Sequence, residues 1–295
     1  MNDRRRRMWA VLLLALAGCF WGTGFLFGKI AFREMNVAEN VTFRFVAASL
    51  VLSPVLFKRW TNYTASDLRL LLLAAGVGGP VQFVLQFRGL QLTTVSHASL
   101  IVGVLPVILA LSSAFFLHER LHLLEWGMLA ISATGAVLIA LSSRNSASGP
   151  QPSLKGDLLV LLSMFAAAAM ILCSKRLLER HDALQVTASL IASGTIMLIF
   201  WAELSQPLRF HFSWMAWSAV VAQGLLATAG AYLCWNWGLA HIPASRASVF
   251  LNLEPVVGAI LGMAVLHERL GPMAIVGGVL IVSAAVFFSV RTHNA

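Results

Sequence analysis

Charged residues are scarce in this sequence. Asp, Glu, Lys and Arg make up 11% of its 295 residues, whereas 59% of the residues are hydrophobic. Soluble domains carry roughly 25% charged and 45 to 50% apolar residues. The low charge excludes an ordinary soluble domain and indicates an integral membrane protein, whose structural unit is an apolar helix of about 20 residues.

Cysteine is also rare. The three cysteines, Cys19, Cys173 and Cys234, all fall inside apolar stretches. An odd, scattered set provides neither a disulfide framework nor the spacing of a metal site. We therefore expect no structural metal and no cofactor.

Long polar segments are missing as well, so the sequence has no room for a soluble domain between its apolar stretches. Ten of these stretches are long enough to cross a bilayer: 8–28, 38–57, 68–87, 98–117, 123–141, 158–174, 183–202, 214–239, 247–266 and 272–290. The sequence predicts an all-α integral membrane protein of ten transmembrane helices, with its function inside the bilayer.

The net charge of +9 comes from basic residues spread over the ends of the apolar stretches. They form no basic groove with interleaved aromatic residues, so we expect no nucleic-acid partner. Lys and Arg are more frequent on the side that holds Arg4 to Arg7. By the positive-inside rule, both termini are expected in the cytoplasm.

One short motif, LHERL, occurs twice, at 117–121 and at 266–270. At this offset of 149 residues, positions 87–121 and 236–270 share 13 identities in 35 positions without a gap. The chain is therefore expected to contain two repeats, 1–145 and 146–295, each with five spans. Because five is odd, the second repeat enters the membrane inverted, an arrangement typical of secondary transporters with a central cavity.

The inversion places the two LHERL copies on opposite membrane faces. They cannot form one metal site or one acid and base pair, because such groups must lie within a few Å of each other. We expect Glu119 and Glu268 to cap the helix that follows each motif, a structural role.

Several glycines and prolines interrupt the expected helices. Proline removes a backbone hydrogen bond and bends a helix, and broken helices at membrane depth often line a cavity. The predicted hinge residues are Gly78, Gly79, Pro80, Pro106 and Pro255. The alternative is that these residues only produce packing kinks.

Polar and aromatic side chains repeat at helical spacing in the third and eighth spans. Gln82 and Gln86 share a face of the third span, and Tyr232 and Trp235 share a face of the eighth. Buried amides need partners, so the two glutamines are expected to face a polar interior. All four residues are predicted to bind substrate, together with Trp21 of the first span. Pairing with a neighbouring helix remains the alternative.

Glu254 lies near the middle of the ninth span, beside Asn252. A carboxylate at this depth is costly and is a functional candidate, so both residues are included in the predicted substrate site. Glu254 could carry a coupled proton or bind a substrate ammonium group. The alternative is a structural bond to backbone groups freed by Pro255. Arg44, six residues into the second span, either reaches outward to the headgroups, or it pairs with a charge inside the bundle or attracts a carboxylate.

The motifs resemble the EamA branch of the drug/metabolite transporter superfamily: FWGTGFLFGKI in the first span, RF in the second, LNLEPV in the ninth and HERL after the fourth and ninth. The resemblance implies a secondary transporter of the bacterial inner membrane, with a central cavity lined mainly by the first, third, fourth, sixth, eighth and ninth helices. It also implies peripheral fifth and tenth helices, which are linked to homodimer contacts in that family. Within the branch, the chain is most similar to the YddG-type exporters of aromatic amino acids.

The leading hypothesis is export of small amphiphilic metabolites, with aromatic amino acids as the favoured substrates, by alternating access. Efflux of drugs or quaternary cations is the alternative within transport. A membrane enzyme acting on lipid-linked substrates is less favoured, because such chemistry needs several ionisable residues at one place and Glu254 stands nearly alone.

Overall fold

The computed structural model describes residues 3–58, 63–93, 101–142, 153–205, 207–266 and 271–294, which form helices and no strands. The α-helices are α1 Asp3–Ala31, α2 Val37–Lys58, α3 Ala65–Gly76, α4 Gln82–Leu92, α5 Leu105–Phe116, α6 Leu123–Ser142, α7 Leu154–Leu178, α8 Ala183–Ser205, α9 Trp214–Gln223, α10 Ala231–His241, α11 Ala244–Ala247, α12 Leu253–Leu266 and α13 Pro272–Asn294. π-Helices at Val77–Val81 and Gly224–Gly230 join α3 to α4 and α9 to α10, and a 3-10 helix at Ser248–Asn252 joins α11 to α12.

Seven helical segments in the described part of the chain are long and apolar enough to cross a membrane: Arg4–Ala31, Val37–Leu56, Ala65–Leu90, Leu154–Leu178, Ala183–Ser205, Trp214–His241 and Ala244–Val265. They coincide with the first, second, third, sixth, seventh, eighth and ninth predicted spans. Shorter apolar helices lie at Leu105–Phe116, Leu123–Ile139 and Ile275–Phe288, where the other three spans were expected. The all-helical membrane fold is confirmed, and the count of ten spans stays a prediction.

Helices at equivalent positions of the two repeats pack in a reciprocal pattern. An offset of 149 residues relates α1 to α7, α2 to α8, α4 to α10 and α6 to α13. The equivalent pairs α2 with α8 and α6 with α13 pack directly against each other. In addition, α1 packs on α10 just as its equivalent α7 packs on α4. Such exchange of partners is what a two-fold axis between the halves produces, while the inverted orientation and the division at residue 145 stay predictions.

Glycine permits the closest approach of α1 to the second repeat. A Cβ atom on Gly22 would lie 2.6 Å from Cβ of Val257 and 2.8 Å from the backbone oxygen of Glu254. Only a residue without a side chain allows this separation. The position of α1 beside the start of α12 is therefore fixed by a short stretch of backbone contact.

The third predicted span, from α3 to α4, and the eighth, from α9 to α10, both depart from α-helical geometry at equivalent positions. The π-helix at Val77–Val81 contains Gly78, Gly79 and Pro80, which were expected to interrupt the helix. The π-helix at Gly224–Gly230 covers the equivalent positions of the second repeat without any proline. π-Helical turns are frequent at functional sites, and the sequence pattern did not predict the second one.

Pro106 and Pro255 begin helices and do not bend them in the middle, which corrects the expected mid-helix kinks. Pro106 is the second residue of α5, and Pro255 is the third residue of α12, directly after the 3-10 helix. A proline in the first turn of a helix removes no hydrogen bond, because its nitrogen has no intrahelical acceptor there. In the fourth and ninth predicted spans, regular α-helix thus begins just before the proline, at the starts of α5 and α12.

The sequence suggested that Glu119 caps the helix that follows it. The structure shows instead that Glu119 caps a helix of the other repeat. Its two carboxylate oxygens accept hydrogen bonds from the backbone nitrogens of Ala244 and Ser245, at 2.9 and 2.8 Å. The chain turns sharply before it, at His118, which has a φ of 55°. The following helix is capped instead by Glu125, which accepts from the backbone nitrogen of His122 at 2.8 Å. Glu268, in the second copy of the motif, lies outside the described residues.

Polar contacts also join the repeats at the end of the bundle predicted to face outward. Arg209 forms an ion pair with Glu39, with Nε 2.7 Å from Oε1. Ser213 donates to Glu34 through its hydroxyl and its backbone nitrogen, and these bonds lower the pKa of the exposed Glu34 carboxyl. In this conformation the two halves are therefore connected at both ends.

Candidate functional site

Three of the predicted substrate residues form one aromatic cluster. The Trp21 ring centroid lies 5.8 Å from that of Tyr232, edge to face, and 5.3 Å from that of Trp235. Tyr232 and Trp235 occupy one face of α10, and Trp21 reaches them because α1 packs against α10. Tilted and edge-to-face rings are a favourable arrangement. Trp21, Tyr232 and Trp235 therefore form an aromatic wall between α1 and α10.

A small cavity begins at Tyr232. Its volume is about 10 Å³, which is room for about one water molecule. The residues around it are Phe45, Ala74, Ala75, Gly78, Gly79, Met170, Leu190, Ile191, Gly194 and Tyr232. Pockets for small organic ligands usually measure about 300 to 1,000 Å³, so this cavity is too small to hold such a ligand unless the residues around it move.

Among the described residues, a few buried polar side-chain atoms have no hydrogen-bond partner. Three of them belong to residues of the aromatic wall and of the second and third predicted spans: Nε1 of Trp235, Nε of Arg44 and Oε1 of Gln82. Gln86 is half-buried, and among the described residues its amide forms no hydrogen bond. Native proteins satisfy most buried polar groups, so unpaired groups at membrane depth are candidates for binding a polar ligand.

Glu254 lies in the first turn of α12, and its backbone oxygen faces Gly22 of α1. Within the described part of the chain, its carboxylate has neither a hydrogen bond nor an ion pair, so the expected alternative of a bond to backbone freed by Pro255 is not observed. A half-buried acid without a bonded partner remains available to a ligand.

Asn252 differs from the other predicted site residues because its amide is already engaged. Its Nδ2 donates to Oγ of Ser132 at 2.9 Å, and the residue is 2% exposed. The bond ties the 3-10 helix to α6. Asn252 is two residues from Glu254, but its amide donor is already used in a contact with α6.

Arg44 belongs to this region, although the sequence did not include it among the site residues. Its guanidinium carbon lies 4.7 Å from the ring centroid of Phe83 and 5.5 Å from that of Phe45. These contacts direct the side chain inward, and not outward to the headgroups as the first alternative had it. Stacking on aromatic faces stabilises a guanidinium in a poorly hydrated place. The only sequence signal was a charge too deep in an apolar stretch.

The hinge candidates fall into two groups. Gly78 and Gly79 line the cavity, and Pro80 lies in the same π-helix. Pro106 and Pro255 mark the starts of α5 and α12, and Pro255 directly follows Glu254. Among the described residues, no group of three His, Cys, Asp or Glu side chains could hold a metal ion.

Known relatives match along nearly the whole chain. An uncharacterized transporter, YetK, of Bacillus subtilis is 25% identical over 94% of this chain and 87% of its own length. A probable terminal-alkyne amino-acid exporter of Streptantibioticus cattleyicolor is 25% identical over 97% of this chain and 94% of its own. The biotin transporter of Escherichia coli is 25% identical over 93% of this chain and 91% of its own.

A solved structure shares the fold, with a TM-score of 0.81, 20% identity and coverage of 97% of this chain and 98% of that one. The model of the EamA-like transporter family matches twice, at residues 8–141 and 154–290. The two matches confirm the duplication, and the relatives are membrane transporters of small molecules. The chain belongs to the EamA-like transporter family, as a multi-pass membrane protein.

Proposed function

We propose that this protein exports aromatic amino acids and related amphiphilic metabolites across the bacterial inner membrane by alternating access of its two repeats. The observation that carries the proposal is the wall of Trp21, Tyr232 and Trp235, in which the buried Nε1 of Trp235 has no hydrogen-bond partner among the described residues. A flat side chain would stack on this wall, while a polar group of the ligand would bond to the unpaired nitrogen.

The closed cavity supports alternating access. Gly78 and Gly79 of the cavity lie in the π-helix at Val77–Val81. Tyr232 lies just after the equivalent π-helix at Gly224–Gly230. π-Helical turns are points where a helix can change register or direction. Opening at these turns would enlarge the cavity next to the aromatic wall.

One relative is named an amino-acid exporter and another a biotin transporter. The first name, in full a probable terminal-alkyne amino-acid exporter, supports amino acids as the substrate class and export as the direction, and the aromatic side chain is argued from the wall alone. The second shows that a related chain is named for a carboxylate without an ammonium group. A substrate panel should therefore include both kinds of molecule.

Efflux of organic cations is the second candidate, because Glu254 is a carboxylate without a bonded partner in the described chain and its backbone contacts α1 at Gly22, next to Trp21. Cations bind to aromatic faces and to carboxylates. Competition against labelled phenylalanine separates the two candidates: neutral zwitterions compete if the first is right, and tetraalkylammonium ions compete if the second is right.

Counterflow of labelled phenylalanine into liposomes that contain the purified protein tests the main proposal. Trp21→Ala, Tyr232→Ala and Trp235→Ala should each reduce phenylalanine counterflow about twofold to tenfold, because stacking contributes about 0.5 to 1.5 kcal/mol beyond buried area. Trp214→Ala is the matched control, because Trp214 is 84% exposed at the start of α9. Wild-type rates in all three variants would reject the aromatic wall as the substrate site.

A further inference from the structure

We infer that Met170 limits the size of the substrate, because its side chain fills the space between the third and eighth predicted spans and must move aside when a substrate enters. The inference rests on the proposed function and deepens it, since it assigns a size-determining residue to the cavity that begins at Tyr232. No sequence pattern indicated this role, because Met170 is one apolar residue among many in the sixth predicted span.

Met170 lies in α7 and contacts both of the other spans through one atom. Its Sδ accepts a hydrogen bond from the Tyr232 hydroxyl at 3.9 Å. The same sulfur lies so close to Gly78 that a Cβ atom there would collide with it. Gly78 belongs to the π-helix at Val77–Val81, and Tyr232 lies just after the π-helix at Gly224–Gly230. The thioether therefore connects the two π-helical regions, and Met170, Gly78 and Tyr232 all border the same cavity.

Met170 differs from the other residues around this cavity in how freely its side chain can move. Half of those residues have a side chain of one methyl group or none: Ala74, Ala75, Gly78, Gly79 and Gly194. The larger ones are at most 9% exposed and belong to the buried core: Phe45, Leu190, Ile191 and Tyr232. Met170, in contrast, is only half-buried. Among the large side chains of the cavity, it can therefore rotate with the least disturbance of the core.

A methionine side chain is suited to such movement. It is unbranched and rotates about three bonds. Its sulfur is a weak hydrogen-bond acceptor, so the contact with the Tyr232 hydroxyl costs little to break. Rotation of Met170 would enlarge the cavity of about 10 Å³ next to the aromatic wall. It would also release the Tyr232 hydroxyl for a polar group of the substrate.

The space for the substrate then depends on the length of the side chain at position 170. An apolar pocket distinguishes ligands that differ by one methylene group about tenfold or more, and indole is larger than phenyl by more than that. Met170→Ala removes three heavy atoms, so it should improve binding of tryptophan relative to phenylalanine about tenfold. Met170→Leu keeps nearly the same volume and should leave this ratio close to the wild-type value.

The affinities are measured on purified protein by displacement of labelled phenylalanine with unlabelled phenylalanine or tryptophan. A variant that binds but does not transport then still gives a result. Met164→Ala is the matched control. Within the described residues, Met164 lies in the same helix, is 2% exposed and does not border the cavity. Its truncation removes packing from the core but should not change the ratio of the two affinities.

Cysteine labelling gives a second measurement that does not depend on ligand size. In a variant without Cys19, Cys173 and Cys234, Met170→Cys should react with N-ethylmaleimide. Saturating phenylalanine should block this reaction, because the bound side chain occupies the same space. A residue with a structural role alone would react at the same rate with and without phenylalanine. If Met170→Ala does not yield folded protein, Met170→Cys also has a shorter side chain and provides both measurements.

A wild-type affinity ratio in Met170→Ala, or an equal change in Met164→Ala, overturns the inference. Labelling of Met170→Cys that phenylalanine leaves unchanged overturns it as well. When labelled phenylalanine neither binds nor exchanges in the wild type, the proposed function also fails. When it exchanges in the wild type but the Met170 variants show neither the shift in ratio nor the protection, only the assignment of Met170 fails.

Discussion

Glu119 shows how a single side chain can connect the two repeats. It belongs to the first copy of LHERL, and it accepts two backbone hydrogen bonds at the start of α11 in the second repeat. The backbone nitrogens at a helix start have no partner within the helix. A carboxylate at that place satisfies two of them and interacts favourably with the helix dipole.

Removing this cap should destabilise the protein measurably. We expect Glu119→Ala to lower the free energy of unfolding by about 1 to 2 kcal/mol, the usual cost of losing a helix cap. The measurement is thermal unfolding of the purified protein in detergent, followed by tryptophan fluorescence. Arg120→Ala is the control, because Arg120 is the exposed neighbour in the same motif. Equal melting temperatures for the Glu119 variant and the wild type would contradict the capping role.

The repeated motif also shows where the sequence was insufficient at this scale. The local pattern suggested that Glu119 caps the next helix, but its partners lie 125 and 126 positions away. Arg44 presents the same difficulty. It lies six residues into a span, where a long side chain can reach either outward to the headgroups or inward to the bundle. Contacts between distant segments decide both cases, and one sequence does not contain that information.

At the scale of elements, the positions of the long helices could be predicted well. Charged or turn-forming residues bound each apolar stretch, so α1, α2, α7 and α8 begin and end within several residues of the expected limits. The π-helix at Val77–Val81 was also signalled, by two glycines and a proline. The equivalent π-helix at Gly224–Gly230 was not, because it contains no proline and its geometry follows from packing between the repeats.

The first π-helix gives a prediction that depends on packing. A Cβ atom on Gly78 would collide with the side chain of Met170 in α7. We therefore expect Gly78→Ala to push α7 away from the third helix and to reduce transport about tenfold or more. Met170→Ala in the same chain should restore part of the activity, because it removes the two Met170 atoms that lie closest to the added methyl group, Sδ and Cγ.

Gly76→Ala is the matched control, since a Cβ atom there would lie 3.4 Å from the Met197 sulfur, at the edge of ordinary contact. This variant should transport close to the wild-type rate in the same counterflow assay. Failure of Met170→Ala to rescue Gly78→Ala would mean that the glycine is needed for movement of the π-helix, and not for packing against α7.

For the whole molecule, the main question is how the two repeats are oriented in the membrane. The reciprocal packing of equivalent helices agrees with a two-fold axis, and five spans in each repeat would place that axis in the membrane plane. The prediction of ten spans includes three segments whose helices are shorter than expected, at Leu105–Phe116, Leu123–Ile139 and Ile275–Phe288. A direct measurement of sidedness tests both the count and the inversion.

Labelling of single cysteines provides that measurement. In a variant without Cys19, Cys173 and Cys234, we expect a membrane-impermeant maleimide to modify Arg33→Cys in right-side-out vesicles and Arg120→Cys in inside-out vesicles. Both residues are exposed, and three predicted spans separate them, so they must face opposite sides. Labelling of both from one side would remove one span from the first repeat. The two repeats would then no longer be inverted, and transport by exchange of equivalent conformations would lose its structural basis.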